Sequence, residues 1–252
     1  MESMQHMSEL VFMVLCRKLG SSEQVTMRRD ISDFREMILS NETRRDFRII
    51  CSGSYKEGFK LDESDRDAMI SLVNYRVIWN LSQNQINCRQ TLFLVDSSES
   101  PPGYTLIRLL SPFTLTMKIW ASRFGLYGKN YISSSNFREN MRFSSRPDSH
   151  VHGPCRSGNF KGVEFDDAYS FPSDVWPPPA LAWIKRCHSW PSSGVVDDII
   201  RKGCHFVAIG NKLGNHEENE WRISFAYAEQ KLVYSMNHCQ FLTYDLPKLI
   251  LK

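Results

Sequence analysis

The stretch Ser52-Gly53-Ser54-Tyr55-Lys56-Glu57-Gly58, followed by Glu63-Ser64-Asp65-Arg66-Asp67-Ala68-Met69, decides the reading of this chain. Gly53 permits a tight turn and a close backbone approach to a ligand. Ser54 adds a hydroxyl, and successive N–H groups in such a turn form an anion-binding nest. Asp65-x-Asp67 stands at the mouth of a run rich in Ile, Val, Tyr and Leu, Ala68 to Trp79, which reads as extended structure. Residues i and i+2 of a strand share a face, so both carboxylates project together. Like charges so placed repel unless a cation sits between them. Mg²⁺ suits that position, because it takes a few carboxylates plus substrate phosphates. A phosphate cradle beside metal-binding acids is the minimal equipment for nucleotidyl transfer. Either half alone is commonplace in turns and on surfaces; their order, spacing and strand context carry the reading.

Working outward, residues 8–19 and 23–42 have the apolar spacing of helices, broken at Gly20-Ser21-Ser22. Phe47–Cys51 reads as a short apolar approach to the Gly/Ser turn; Gln90–Val95 and Tyr104–Leu110 read as strands, as does Val163–Phe171 with Glu164, Asp166 and Asp167 inside it. Pro177-Pro178-Pro179 opens a helix through Ala180–His188, and Val195–Arg201 is a short helix stopped by Gly203. Cys204–Ile209 reads as a buried strand, Glu220–Met236 as one long amphipathic helix, and Leu242–Lys252 as an apolar helix. No internal repeat is visible.

The 252 residues carry 31 Lys+Arg against 28 Asp+Glu, a formal charge of +3, with 42% apolar and 23% charged residues. That composition excludes wholesale disorder. No run of 18 apolar residues exists, which argues against a membrane span, and the start lacks the basic region of a secretory signal. Seven scattered cysteines, an odd number, fit reduced thiols in the cytoplasm or nucleus rather than a disulfide framework. The charge is uneven. Residues 111–162 hold eight Lys/Arg and two acids, a balance of +6, which leaves the rest of the chain at −3. With Ser, Asn and Gly clustered through Ser133–Ser149, the segment reads as a long basic surface insertion.

Gly-Ser-Tyr-x-Glu-Gly followed by Ser-Asp-x-Asp-x-Met resembles the cyclic GMP-AMP synthase (cGAS) and Mab-21-like nucleotidyltransferases. Further landmarks resemble those of invertebrate Mab-21-domain proteins: Pro101-Pro102-Gly103-Tyr104-Thr105, His152-Gly153-Pro154, Trp176-Pro177, Trp183-Ile184-Lys185-Arg186 and Trp190-Pro191. Glu220-Trp221-Arg222-Ile223-Ser224-Phe225, with Glu229 after it, is another. Together they cover nearly all of residues 45–252.

The resemblance implies an α+β fold: a DNA-polymerase-beta-like nucleotidyltransferase core with a mixed sheet over residues 49–238. It implies a long N-terminal spine helix in a brace over 1–48, and a helical C-terminal lobe of which 239–252 would be the start, cut short. It also implies ATP and GTP as substrates, a cyclic dinucleotide as product, Mg²⁺ or Mn²⁺ as cofactor, and activation by double-stranded RNA or another innate-immune ligand. Gly53 and Ser54 match the family's triphosphate-binding turn, and Asp65 and Asp67 its first two metal carboxylates. Asp166 best matches the third, with Asp167 one register away; Arg222, Ser224 and Glu229 match substrate contacts. The chain departs from vertebrate cGAS at His238-Cys239, which no further cysteine follows, so no zinc is expected. Asp65 stands where some relatives have Glu. A catalytically inactive Mab-21-type scaffold is the competing expectation, and clustered acids weigh against it.

Overall fold

A computed structural model describes residues 2–42, 47–59, 66–83, 90–112, 115–141, 149–160 and 162–250. The chain opens with α1 (Glu2–Leu19) and α2 (Ser22–Glu42), separated at Gly20, and then enters β1 (Phe47–Ser52). The short helix α3 (Gly53–Glu57) leads towards β2 (Arg66–Leu72), β3 (Tyr75–Ile78), β4 (Thr91–Asp96) and β5 (Tyr104–Ser111). Next come α4 (Met117–Ala121), β6 (Arg123–Leu126), β7 (Lys129–Ile132), α5 (Ser134–Asn140), β8 (His150–His152) and β9 (Cys155–Phe160). The long strand β10 (Val163–Ser173) precedes α6 (Leu181–Ile184), α7 (Ser193–Lys202), β11 (Cys204–Val207) and β12 (Trp221–Ser224). The helices α8 (Ala226–Ser235) and α9 (His238–Ile250) follow.

The fold is α+β. Its curled mixed sheet runs β1-β2-β10-β11-β12-β5-β4-β3, with β6 to β9 attached at the sides. β10 is the organiser, parallel to β2 and antiparallel to β9 and β11. Its sequence explains its position. Phe165, Tyr169 and Phe171 occupy alternate positions and are buried, so the period of two puts one face into a core. That core joins Tyr169 and Phe171 to Ile70, Phe93, Ile107, Phe206 and Trp221, and is closed by Ile119 of α4 and Phe137 of α5. Trp221 meets its polar requirement there by donating its indole N–H to the Ile132 carbonyl (2.8 Å).

The other face is covered by helices. Ile50, Met69 and Val207 pack against Ala226 at the start of α8. Val25 of α2, Phe59, Val233 of α8 and Phe241 of α9 form a separate cluster with Leu15 and Leu19 of α1.

Three readings of the sequence change. The described residues of 111–162 are not a surface insertion: Ile119, Ile132 and Phe137 are core residues, and β9 pairs with β10. Their seryl groups misled, because Ser133 and Ser134 are buried with both hydroxyls donating to the Glu218 carbonyl (2.8 and 3.2 Å). Arg142, Arg146, Asp148 and Lys161 of this segment lie outside the described residues. Glu220–Met236 is not one helix: Trp221–Ser224 is a strand between β11 and β5, and helix begins at Ala226. The helix after Pro177 is only a 3₁₀ turn, Pro178–Ala180, followed by α6.

Candidate active site

Strand register builds the site. β2 and β10 pair in parallel with Asp67 directly beside Asp166. Adjacent strands lie about 4.8 Å apart. Two unit charges at about that distance repel by roughly 3 kcal/mol at an effective dielectric of about 20. The arrangement therefore favours a cation between the two carboxylates.

Asp167 is excluded from this face by alternation. Its register partners are Ala68 on β2 and Arg156 on β9, and it shares the face of Tyr169 and Phe171. Asp65, expected to be the neighbour of Asp67, lies outside the described residues. Among the described residues, no three His, Cys, Asp or Glu side chains group closely enough to hold a metal ion. The two carboxylates that do pair are hard oxygen donors, which fit Mg²⁺ or Mn²⁺.

The Gly53 turn closes against Asp67. Gly53 has φ +74°, and a Cβ built on it would lie 1.8 Å from Asp67 Oδ2. Only glycine meets both demands, a left-handed backbone and no side-chain volume. Ser52, the residue before it, is the register partner of Asp67 across β1 and β2. The glycine turn and the carboxylate are thus held in contact by one ladder.

Arg222 lies on the same sheet face, as the register passes from Ser170 to Val207 to Arg222, and its side chain is exposed. Cys155 reports on the charges of this face. Burial first, and then the negative charges of Asp166 and Asp67, push its thiol up to about 12, while Arg222 opposes them. Ser224 sits on β12, and its hydroxyl accepts the Ala226 N–H (3.4 Å), so it shapes the entry into α8. Glu229 is exposed in the first turn of α8. The structure thus brings Gly53, Asp67 and Asp166 together and sets Arg222 on their face. Ser224 ends the same strand as Arg222, and Glu229 stands on the helix that follows it.

Sequence reasoning passed over two features near these residues. Cys155 gave no signal, because it is placed beside the acids only by the pairing of β9 with β10. Lys56 is the other: its ammonium is buried between Asp33 (2.5 Å) and Glu36 (2.8 Å) of α2. Away from the site, Cys16 Sγ and His238 Nε2 meet at 3.5 Å, a contact between α1 and α9 that spacing could not show.

The sheet sets two carboxylates in register, with a left-handed glycine turn against one of them, an arrangement that metal-assisted transfer can use. Residues 162–235 match the family model of the Mab-21 protein nucleotidyltransferase domain. The matched span includes all of β10 with Asp166, then β12 with Arg222 and Ser224, and α8 with Glu229. This match, over residues 162–235, is consistent with a Mab-21 domain family member and supports a transferase.

Proposed function

We propose that this protein joins ATP and GTP into a cyclic dinucleotide in innate immune sensing. Asp67 and Asp166, with Asp65, would hold Mg²⁺ or Mn²⁺. The observation that carries the reading is the parallel register of Asp67 with Asp166, with Gly53 packed on the Asp67 carboxylate. The bound metal would supply charge neutralisation at the α-phosphate and lower the pKa of the attacking ribose hydroxyl. The chain's own groups do the rest. The Gly53-Ser54 turn would orient the triphosphate through backbone N–H groups and the Ser54 hydroxyl. Arg222, whose planar fork suits phosphate or a base edge, would position the substrate from the same face. Ser224 and Glu229 would contact the nucleotide at its edge. Asp166 stands where a carboxylate would accept the proton of that hydroxyl as it attacks and pyrophosphate leaves. A second transfer would close the ring.

Location in the cytoplasm or nucleus belongs to the same proposal. It is supported by six free cysteines among the described residues. No helix among the described residues is long and apolar enough to cross a membrane.

The test is incubation of purified protein with labelled ATP and GTP and Mg²⁺ or Mn²⁺, with and without double-stranded RNA or DNA. Dinucleotide formed by the natural chain, and lost in Asp67→Asn and in Asp166→Asn, is the expected result. Absence of nucleotide binding under every condition would sink the enzyme reading and leave the scaffold.

A further inference from the structure

Lys56 is 2% exposed, yet it carries a charge into the protein. Burial, the largest single influence, disfavours the ammonium; the hydrogen bonds it donates to Asp33 and Glu36 more than offset that, so the group stays protonated. A buried ion pair is a poor source of stability, since apolar residues of similar volume often serve as well. What it supplies here is position. Glu36 accepts both the Lys56 ammonium and the Cys51 N–H (3.0 Å), and so joins α2 to the end of β1.

The residues after the Ser54 hydroxyl are tied to α2 one after another. Arg35 donates to the Tyr55 hydroxyl. Lys56 binds Asp33 and Glu36. Arg29 donates to the Glu57 carbonyl (2.8 Å) and Arg28 to the Gly58 carbonyl (3.1 Å). From α8, the Tyr234 hydroxyl donates to the Lys56 carbonyl (2.9 Å). Of these ties, only the Lys56 pair is a salt bridge with a buried member. At the other end of the segment, three residues away, Gly53 rests on Asp67.

We propose that Lys56 is a positioning residue: clamped between Asp33 and Glu36 on α2, it holds the Gly53-Ser54 turn at the depth where the turn meets both Asp67 and a nucleotide triphosphate. The nucleotide half of this statement rests on the function proposed above; the turn-holding half does not. A rigid first contact matters because a displacement of about 1 Å costs roughly a hundredfold in rate. A local clamp also has a local signature, since segments open with their own free energies.

The test compares the natural chain with Lys56→Met and Lys56→Arg. Asp33 and Glu36 are 51% and 26% exposed, so water can take over from the ammonium when Met replaces it, and a matched circular dichroism spectrum verifies folding. Amide hydrogen exchange is read over residues 52–58 and, as a reference, over β2 and β10. The expected result for Lys56→Met is exchange at least about tenfold faster in 52–58 with the two strands unchanged. Affinity for the fluorescent probe TNP-ATP should weaken by about tenfold or more, with Lys56→Arg recovering part of both effects. Unchanged exchange in 52–58 overturns the proposal. Faster exchange with unchanged TNP-ATP affinity overturns its nucleotide half. If the natural chain does not bind the probe, the transferase reading fails, and exchange alone decides whether Lys56 holds the turn.

Discussion

Replacing Gly53 with alanine tests whether the turn and the carboxylate form one site. The new side chain has two separable costs. The backbone at φ +74° penalises any L-residue by about 1–2 kcal/mol. The Cβ also starts 1.8 Å from Asp67 Oδ2, and ordinary contact begins at 3.4 Å, so the carboxylate must retreat by about 1.6 Å. Gly103→Ala separates the two. Gly103 has φ +86°, but nothing lies within 4 Å of its Cβ, so that variant has the backbone cost alone. Gly103→Ala should lower the melting temperature by about 2–8 °C, at roughly 2–4 °C per kcal/mol for a chain of this size, and Gly53→Ala should lower it further. Only Gly53→Ala should lose function, by about a hundredfold in nucleotidyl transfer, because the displaced group belongs to the proposed metal site. Scanning calorimetry gives the first quantity and product formation from ATP and GTP the second; Mn²⁺ titration reads the displaced carboxylate directly. If Gly53→Ala matches Gly103→Ala in both stability and Mn²⁺ affinity, the contact between the turn and Asp67 is not part of a metal site.

Three further outcomes are expected. Asp166→Asn should weaken Mn²⁺ binding, followed by electron paramagnetic resonance, by at least about tenfold, while Asp167→Asn, on the opposite face, should leave it unchanged. His205 is held neutral, its pKa lowered to about 4 by burial and then by Arg48. The unfolded chain takes up that proton near pH 6.5, so the stability contributed is complete above about 6.5 and falls as pH drops towards 4, by about 3 kcal/mol in all. Urea midpoints at pH 4.5 and 7 should differ less in His205→Asn than in the natural chain; an equal difference refutes this. Trp221→Phe removes the donor to the buried Ile132 carbonyl and should lower the urea-derived stability by about 1–3 kcal/mol. Trp190→Phe, at a side chain 40% exposed, should cost less than about 0.5 kcal/mol.

What could be read from the sequence depended on how far away each residue's partner lies. In β10 the partners of Tyr169 and Phe171 lie on the neighbouring strands of one core, and the strand could be read locally. Alternation along it bears on the acids. A carboxylate at Asp167 faces the core side, where Arg156 is its register partner; one at Asp166 faces the helix-covered side, where its register partner is a second carboxylate. Residues 221–224 failed for the opposite reason. Four residues give too short a period of two, and the apolar spacing of α8 behind them extended the helical pattern backwards. Ser133 and Ser134 look like loop residues because their acceptor, Glu218, is more than eighty positions away. Lys56 drew no reading of its own because Asp33 and Glu36 stand on another element. Sequence patterns report which face of an element is apolar; they do not report which polar group will be buried with a partner. Here the polar groups of the candidate site belong to the second kind. Asp67 and Gly53 touch only once β1 and β2 pair, and Asp166 joins them only because β10 runs parallel to β2. A one-residue slip in that parallel register would exchange Asp166 for Asp167 and turn Phe171 out of the core. The aromatic residues that stabilise the sheet therefore also select which carboxylate reaches the site.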